Sequence, residues 1–267
     1  MDATRLAGKN VLITGGAQGM GAAIGKHLAA QGAKICIGDL NLDGARAAAD
    51  EIIAAGGEAT SVSLNVTDRE SAAAAVAHTA ATFGSINVLL NNAGINKPMF
   101  FLEATQQNWD AIMGVNAFGT FLCMQEAGKV MREQGKQDLP YKIVNVGSIL
   151  SRDAFIDSSV YAASKHAVLG LIRAGARSLV EYNITVNGYA PGVVRTEMWE
   201  QLDKELVEMG LFEKAGTSMD TIAANSIPMG RYSYPEDIVG TAAFLVSSDS
   251  DYMTGQLIQI DGGMVMA

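Results

Sequence analysis

A strand, a glycine turn and a helix, in that order near the start of the chain, limit its fold more than any other feature. Asn10-Val11-Leu12-Ile13-Thr14 is a short apolar run of strand type. Gly15-Gly16-Ala17-Gln18-Gly19-Met20-Gly21 follows at once, and then an Ala-rich helical stretch from Ala22 to Gln31. Glycines let backbone approach a ligand closely, and a helix N-terminus presents N–H groups with a partial positive charge. A strand feeding such a turn therefore predicts a cradle for the pyrophosphate of a dinucleotide. The spacing is Gly-x-x-x-Gly-x-Gly rather than the commoner Gly-x-Gly-x-x-Gly. Taken alone it also fits an ordinary tight turn, so the rest of the chain must carry the reading.

Strand and helix patterns alternate to the end. Strands are expected near 10–14, 33–38, 59–64, 87–91, 141–147, 184–189 and 256–260, and helices near 19–31, 42–55, 68–83, 107–134, 159–182 and 235–247. Parallel strands need crossover connections, so this order predicts a doubly wound α/β Rossmann fold, a seven-stranded parallel sheet with helices on both faces. Ligands of such sheets sit outside the carboxyl ends of the strands. At 267 residues and 49% hydrophobic, the chain can form one domain, 1–267, around one large core. One amphipathic segment, about 196–227, breaks the alternation with Met198-Trp199, Leu202, Leu206-Val207, Met209 and Leu211-Phe212. It is too long for an ordinary loop and by itself reads as a packing insertion.

Tyr161 and Lys165 stand four residues apart on one predicted helix, with Ser148 thirteen residues upstream of the tyrosine. Positions i and i+4 share a helix face, so the ammonium can sit beside the phenol and favour its ionised form. Ser148 can hydrogen-bond a carbonyl or alcohol oxygen while Tyr161 gives or takes the proton. About twenty residues beyond the glycine turn the second strand ends at Asp39, where a carboxylate accepts from a ribose 2′-hydroxyl and repels a 2′-phosphate. No Arg or Lys follows directly in Leu40-Asn41-Leu42-Asp43, so NAD is expected. Asp39 has a rival role as N-cap of the next helix, for which Asn41 and Asp43 also qualify.

Thr14-Gly-x-x-x-Gly-x-Gly21, Asn91-Asn92-Ala93-Gly94, Asn116, Ser148, Tyr161-x-x-x-Lys165 and Pro191-Gly192 resemble, in order and separation, the short-chain dehydrogenase/reductase family over essentially the whole chain. The resemblance implies catalytic roles for Asn116, Ser148, Tyr161 and Lys165, with Asn116 holding a water beside the lysine. A proton path then runs from Tyr161 through the ribose hydroxyl and Lys165 to that water. It places the cofactor against Gly15, Gln18, Gly19, Met20, Gly21, Asp39, Leu40, Asn65, Val66, Asn92, Ala93, Gly94, Tyr161, Lys165, Pro191, Gly192, Val194 and Thr196. Asn92 is expected to be more structural than catalytic, and Gln18 occupies a position often basic in NADP-using relatives. Asn65 stands where many relatives carry Asp at the adenine pocket; its side-chain carbonyl can still accept from the adenine amino group. The family also implies a substrate lid over about 196–227, and a homotetramer built on the two long helices, with Gly170, Ala174 and Gly175 permitting close approach.

Nineteen Lys and Arg against 28 Asp and Glu give a net charge of −9, which argues against nucleic-acid and anionic-membrane partners. No stretch approaches the ~20 apolar residues of a membrane helix, and the polar opening 1–10 lacks a signal-peptide core, so a cytoplasmic protein is expected. Cys36 and Cys123 read as buried thiols, and His27, His78 and His166 are too scattered for a metal cluster. The C-terminal third looks most like family members acting on acetoin, 2,3-butanediol and sugar alcohols. Gly147-Ser148-Ile149-Leu150-Ser151-Arg152 departs from the Ser-Gln-Ala-Gly of those enzymes. Substrate contacts are expected from Asn96, Ile149, Leu150, Arg152, Met198 and Trp199, with Met99, Phe100 and Ser151 adding to a mixed surface. Arg152 also reads as a solvated loop residue, and Arg195 should point away from the nicotinamide. The expected reaction is NAD-linked interconversion of a small secondary alcohol, diol or polyol and its ketone. Two alternatives stand beside it. A 3-oxoacyl thioester reductase is opposed by Asp39, and a non-catalytic nucleotide sensor by the presence of all four catalytic groups.

Overall fold

The computed structural model describes residues 4–266; the first three residues of the polar opening, and Ala267, lie outside the described residues. Seven parallel strands form one sheet: β1 Asn10–Thr14, β2 Lys34–Asp39, β3 Glu58–Ser63, β4 Val88–Asn91, β5 Tyr141–Val146, β6 Ile184–Pro191 and β7 Leu257–Ile260. Their order is β3-β2-β1-β4-β5-β6-β7, with the reversal between β1 and β4 that opens a crevice at the carboxyl ends. Helices α1 Gly19–Ala29, α2 Leu42–Ala54, α3 Arg69–Phe83, α4 Gln106–Met113, α5 Thr120–Glu133, α6 Ser159–Leu179 and α9 Pro235–Val246 supply the two layers, and α7 Glu197–Glu208 and α8 Ser218–Ser226 interrupt them. Alternate strand residues serve opposite faces. Val11, Ile13, Ile35 and Ile37 pack with Ile24, Leu28, Ile52 and Ile238, while Leu12 and Cys36 pack with Val76, Cys123, Ala127 and Met131. Burial pushes the Cys36 thiol up to about 11 and that of Cys123 to about 12.

A polar row crosses this apolar sheet at the level of the strand ends. Thr14 is opposite Asn91, and Asn91 opposite Asn145. Asn91 Nδ2 donates to Asn145 Oδ1 at 2.9 Å, Asn145 Nδ2 to the Asn187 carbonyl at 3.4 Å, and Asn187 Nδ2 to the Met253 carbonyl at 2.7 Å.

One expected element divides. The helix expected over 107–134 is α4 and α5 joined by a π-helical turn, Gly114–Gly119. The reason lies in Asn116: its side chain accepts from Ile95 N–H at 2.8 Å and donates to the Ile95 carbonyl at 2.9 Å, drawing the backbone out of α-helical register. Two flanking glycines make the widening easy, and hydrophobic periodicity does not reveal it.

Candidate active site

The glycine turn has the form its sequence demands. Gly15 and Gly19 have φ of 63° and 55°, in the left-handed region. A Cβ on Gly21 would lie 2.3 Å from the Gly15 carbonyl oxygen, so only glycine permits this contact of helix and strand. Asn92 holds the turn from behind: Nδ2 donates to the carbonyls of Thr14 at 3.2 Å and Gly15 at 2.7 Å, while Thr14 Oγ1 accepts from the N–H groups of Asn92 and Ala93 at 3.1 Å. Its Oδ1 is buried without a protein partner and the residue lines the central cavity. Gln18 is the N-cap of α1 but makes no capping bond, which leaves the first helical N–H groups open to an anion.

Asp39 ends β2 beside this turn. Its Oδ2 accepts from Ala17 N–H at 3.0 Å and Oδ1 from Asn41 N–H at 2.9 Å. The N-cap of α2 is Asn41, so Asp39 is a carboxylate fixed at the glycine turn rather than a helix cap. Leu40 beside it is largely exposed. Val66 is buried under Gly119. Asn65 departs from expectation. Its Oδ1 accepts from Thr67 N–H at 3.1 Å and Thr67 Oγ1 at 2.8 Å, so both lone pairs close a local turn and neither is free for an adenine.

Ser148, Tyr161 and Lys165 converge on a cavity of about 400 Å³ at the carboxyl ends of β4, β5 and β6. The Ser148 hydroxyl stands beside the Tyr161 phenol, where it favours the ionised form. Ser148 Oγ accepts from Leu150 N–H at 3.1 Å, fixing the hydroxyl above the end of β5. Lys165 Nζ donates to the Val146 carbonyl at 2.8 Å and lies 5.6 Å from the Tyr161 ring centre. Asn116 Nδ2 donates to Ser164 Oγ at 3.0 Å. A Cβ on Gly94 would come within 3.3 Å of Asn116 Oδ1 and 3.7 Å of Lys165 Nζ, so glycine is what lets this loop pass between them.

Electrostatics corrects the sequence expectation for the tyrosine. Burial pushes the Tyr161 phenol up to about 12, opposed by the Ser148 hydroxyl, and burial pulls Lys165 down to about 8. The ammonium is turned to a carbonyl rather than to the phenolic oxygen. In the protein by itself the Tyr161 phenol therefore stays protonated, because desolvation outweighs the neighbouring charge.

Met20, Gly94, Pro191, Gly192, Val194 and Thr196 line the same cavity, as do Asn96, Ile149, Leu150, Met198 and Trp199. Arg152 does not. Its guanidinium donates to Gln259 Oε1 at 2.9 Å and the Leu257 carbonyl at 3.1 Å, tying the loop after Ser148 to β7. Met99, Phe100 and Ser151 are also absent from the lining, because Met99 N–H pairs with the Asp157 carbonyl at 2.9 Å and Ser151 accepts from Ser148 N–H. Arg195 is exposed and faces Tyr232 and Tyr234.

Phe155, Asp157 and Met264 line the cavity without having been singled out from the sequence, and Leu211, Phe212 and Ile222 of the 196–227 segment join them although not named as substrate contacts. Met264 arrives by a reversal at Gly262 and Gly263, with φ of 64° and 87°, and packs with Tyr161 and Leu150; the double glycine was the available signal. The covering helices are pinned together by Asp203, which accepts from Ser218 N–H at 3.1 Å and also from Ser218 Oγ and Gly216 N–H. Trp199 Nε1 donates to Ser218 Oγ at 3.2 Å. Among the described residues, no group of three or more His, Cys, Asp or Glu is placed to hold a metal ion.

Fold, glycine turn and Ser-Tyr-Lys-Asn constellation together define the chain as a member of the short-chain dehydrogenase/reductase family, enzymes that interconvert secondary alcohols and ketones with a nicotinamide cofactor. A family model described as enoyl-(acyl carrier protein) reductase matches residues 15–265. The chain is 40% identical to L-2,3-butanediol dehydrogenase of Corynebacterium glutamicum over 96% of its own length and 98% of the relative's. It is 35% identical to sorbitol dehydrogenase of Cereibacter sphaeroides, covering 98% and 100%. A crystal structure of a short-chain type dehydrogenase/reductase from Mycobacterium marinum superposes with a TM-score of 0.89 at 31% identity, covering 100% of this chain and 99% of that one.

Proposed function

We propose that this is an NAD-dependent dehydrogenase of small vicinal diols or polyols, with Tyr161 as the acid/base. The observation that carries the reading is the convergence of Ser148, Tyr161 and Lys165 on one cavity that opens beside the glycine turn. The residues present fit a dinucleotide. Gly15, Gly19 and Gly21 leave room where side chains would stand, α1 offers open N–H groups to the pyrophosphate, and Asn92 Oδ1 lacks a protein partner. Asp39 holds a fixed negative charge where a 2′-hydroxyl is welcome and a 2′-phosphate is not, which favours NAD. Gly94, Pro191, Gly192, Val194 and Thr196 hold the nicotinamide end. When bound, that cofactor supplies or receives the hydride.

Ser148 fixes the substrate oxygen and Tyr161 transfers its proton, giving it in ketone reduction and taking it in alcohol oxidation. Lys165 and Asn116 set the electrostatics and hold the tyrosine helix against the loop at Gly94. The helices α7 and α8 act as the lid and exclude water. The 3-oxoacyl thioester reading is favoured by the apolar wall of Leu202, Leu206, Leu211 and Phe212. Asp39 opposes it.

The enzyme acts as a cytoplasmic homotetramer. Exposed Trp109, Phe118 and Phe121 on α4, the π-helical turn and α5, and open space at Gly170 on α6, support helix pairing between copies. Gly175 does not contribute, because it packs inward on Met124 and Val186. Among the described residues no helix is long and apolar enough to cross a membrane. The test is a set of initial rates with NAD and NADP against vicinal diols, hexitols, pentitols and 3-hydroxyacyl thioesters. Fastest turnover of a thioester, or preference for NADP, refutes the corresponding half of the proposal.

A further inference from the structure

The cavity walls carry a charge pattern that the catalytic groups do not explain. Asp157 lines the cavity with Ser148 and Tyr161; its Oδ1 accepts from Ser158 Oγ at 2.9 Å. Asn96 lines it too, and its Oδ1 is buried without a partner. Among the described lining residues the one cation is Lys165, whose ammonium is held at the Val146 carbonyl. Arg152, the cation that sequence placed here, is drawn off to β7. The N-terminus of α6 lies just beyond without a side-chain cap, and Asp157, two residues ahead of Ser159, sets a negative charge at that end. The remaining wall is mostly apolar, with Asn92, Ser158, Thr196 and Ser226 as its other polar residues.

We propose that Asp157, assisted by Asn96, selects the group next to the reacting carbon, and that this group must be a hydrogen-bond donor without negative charge. The proposal rests on the dehydrogenase reading above. A carboxylate only accepts hydrogen bonds. A hydroxyl beside the reacting carbon satisfies Asp157, whereas a second carbonyl has no proton to give. A substrate carboxylate would place two like charges in a small cavity with no free counter-ion, a repulsion strengthened by the low dielectric. The site thus takes hydroxyketones and their diols or polyols, and rejects diketones and oxo acids.

Three small ketones that differ in this neighbouring group test the assignment: acetoin, diacetyl and pyruvate. With the purified full chain and saturating NADH, kcat/KM for acetoin is expected to exceed that for pyruvate by at least a hundredfold. Asp157→Asn replaces an acceptor by a group that also donates. It should lower the acetoin-to-pyruvate and acetoin-to-diacetyl ratios by at least tenfold each. Ratios give the readout because diacetyl is intrinsically the more reactive ketone. Asn96→Leu should raise KM for acetoin more than it lowers kcat, and it provides the second test should Asp157→Asn fold poorly. Parent enzyme that reduces pyruvate as well as acetoin overturns the proposal, and so do ratios that stay within twofold in Asp157→Asn with parent-like melting. If none of the three ketones nor any diol is turned over, the dehydrogenase reading itself falls and this one with it. If ketones are reduced but the ratios do not move, only the role of Asp157 is lost.

Discussion

Asp203 is the pin of the covering helices, and its removal should loosen them without unfolding the sheet. The carboxylate is buried and accepts from Ser218 N–H, Ser218 Oγ and Gly216 N–H. Hydrogen bonds to a charged group contribute ~1.5–3 kcal/mol each. Three sharing one carboxylate are not additive, and the freed Gly216 N–H regains water while the buried Ser218 groups do not. A net local loss of ~3–4 kcal/mol is therefore expected for Asp203→Ala, or roughly a hundred- to a thousandfold in the opening equilibrium of α8. Trp199, Ile222, Ala223 and Ile227 form a cluster separate from the sheet layers, so global melting should barely move. Hydrogen exchange read by mass spectrometry should show protection lost across residues 217–227 and kept in β1, β4 and β5, with KM rising more than kcat falls. Burial opposes ionisation of Asp203, but bonds from Ser218 and Gly216 hold its carboxyl below the usual carboxylate range. A depressed folded-state pKa gives stability that is present above the unfolded value and lost as pH falls through the folded one. The parent lid should hence stay closed at pH ~5 and loosen only in stronger acid. Unchanged exchange in 217–227, or collapse of protection throughout the sheet, would show that the pin has been misread.

Tyr161→Phe keeps the ring but removes the transferable proton, and kcat should fall at least ~10²-fold while NADH binding survives. With the phenol pushed up to about 12, the parent-minus-variant spectrum of the free protein should show no phenolate band below pH ~10; a band near neutrality would contradict the burial argument. Asp39→Ser should reduce the NAD-over-NADP preference in kcat/KM by ~10-fold or more, read from initial rates, and a parent that prefers NADP sinks this reasoning. Asp251→Ala strands Lys142, which is 1% exposed and paired to Asp251 at 2.6 Å. An unpaired buried charge costs ~3 kcal/mol or more, so Tm should drop by roughly 6–12 °C. A drop within about 2 °C would mean that water reaches the ammonium.

The sheet and its helices were legible because apolar runs of strand length alternate with helical stretches, and the tyrosine and lysine because i and i+4 share a face. Part of the cavity wall was not. Phe155, Asp157, Leu211 and Met264 come from segments far apart in sequence, and nothing local marks a side chain as facing a shared void. Arg152 shows the converse: a cation four residues after Ser148 was drawn to the edge strand by Gln259, a partner invisible without the fold. The π-helical turn was hidden for a similar reason, since its cause is the bond between Asn116 and Ile95 across a loop.

The row of amides across β4, β5 and β6 acts as a register lock. Strands buried on both faces are near-continuous Val, Ile and Leu, and such runs pair almost equally well when one slides past its neighbour. Amides do not: a slip by one residue pair would carry Asn91 and Asn145 away from their partners and leave buried polar groups unpaired. The rungs stand immediately before the glycine-turn support at Asn92 and three residues before Ser148. Each slip of two residues would displace one relative to the other by ~6–7 Å, about the size of a small substrate. The alignment of the glycine turn with Ser148 is thus written into the middle of the sheet, in three side chains that do not line the cavity.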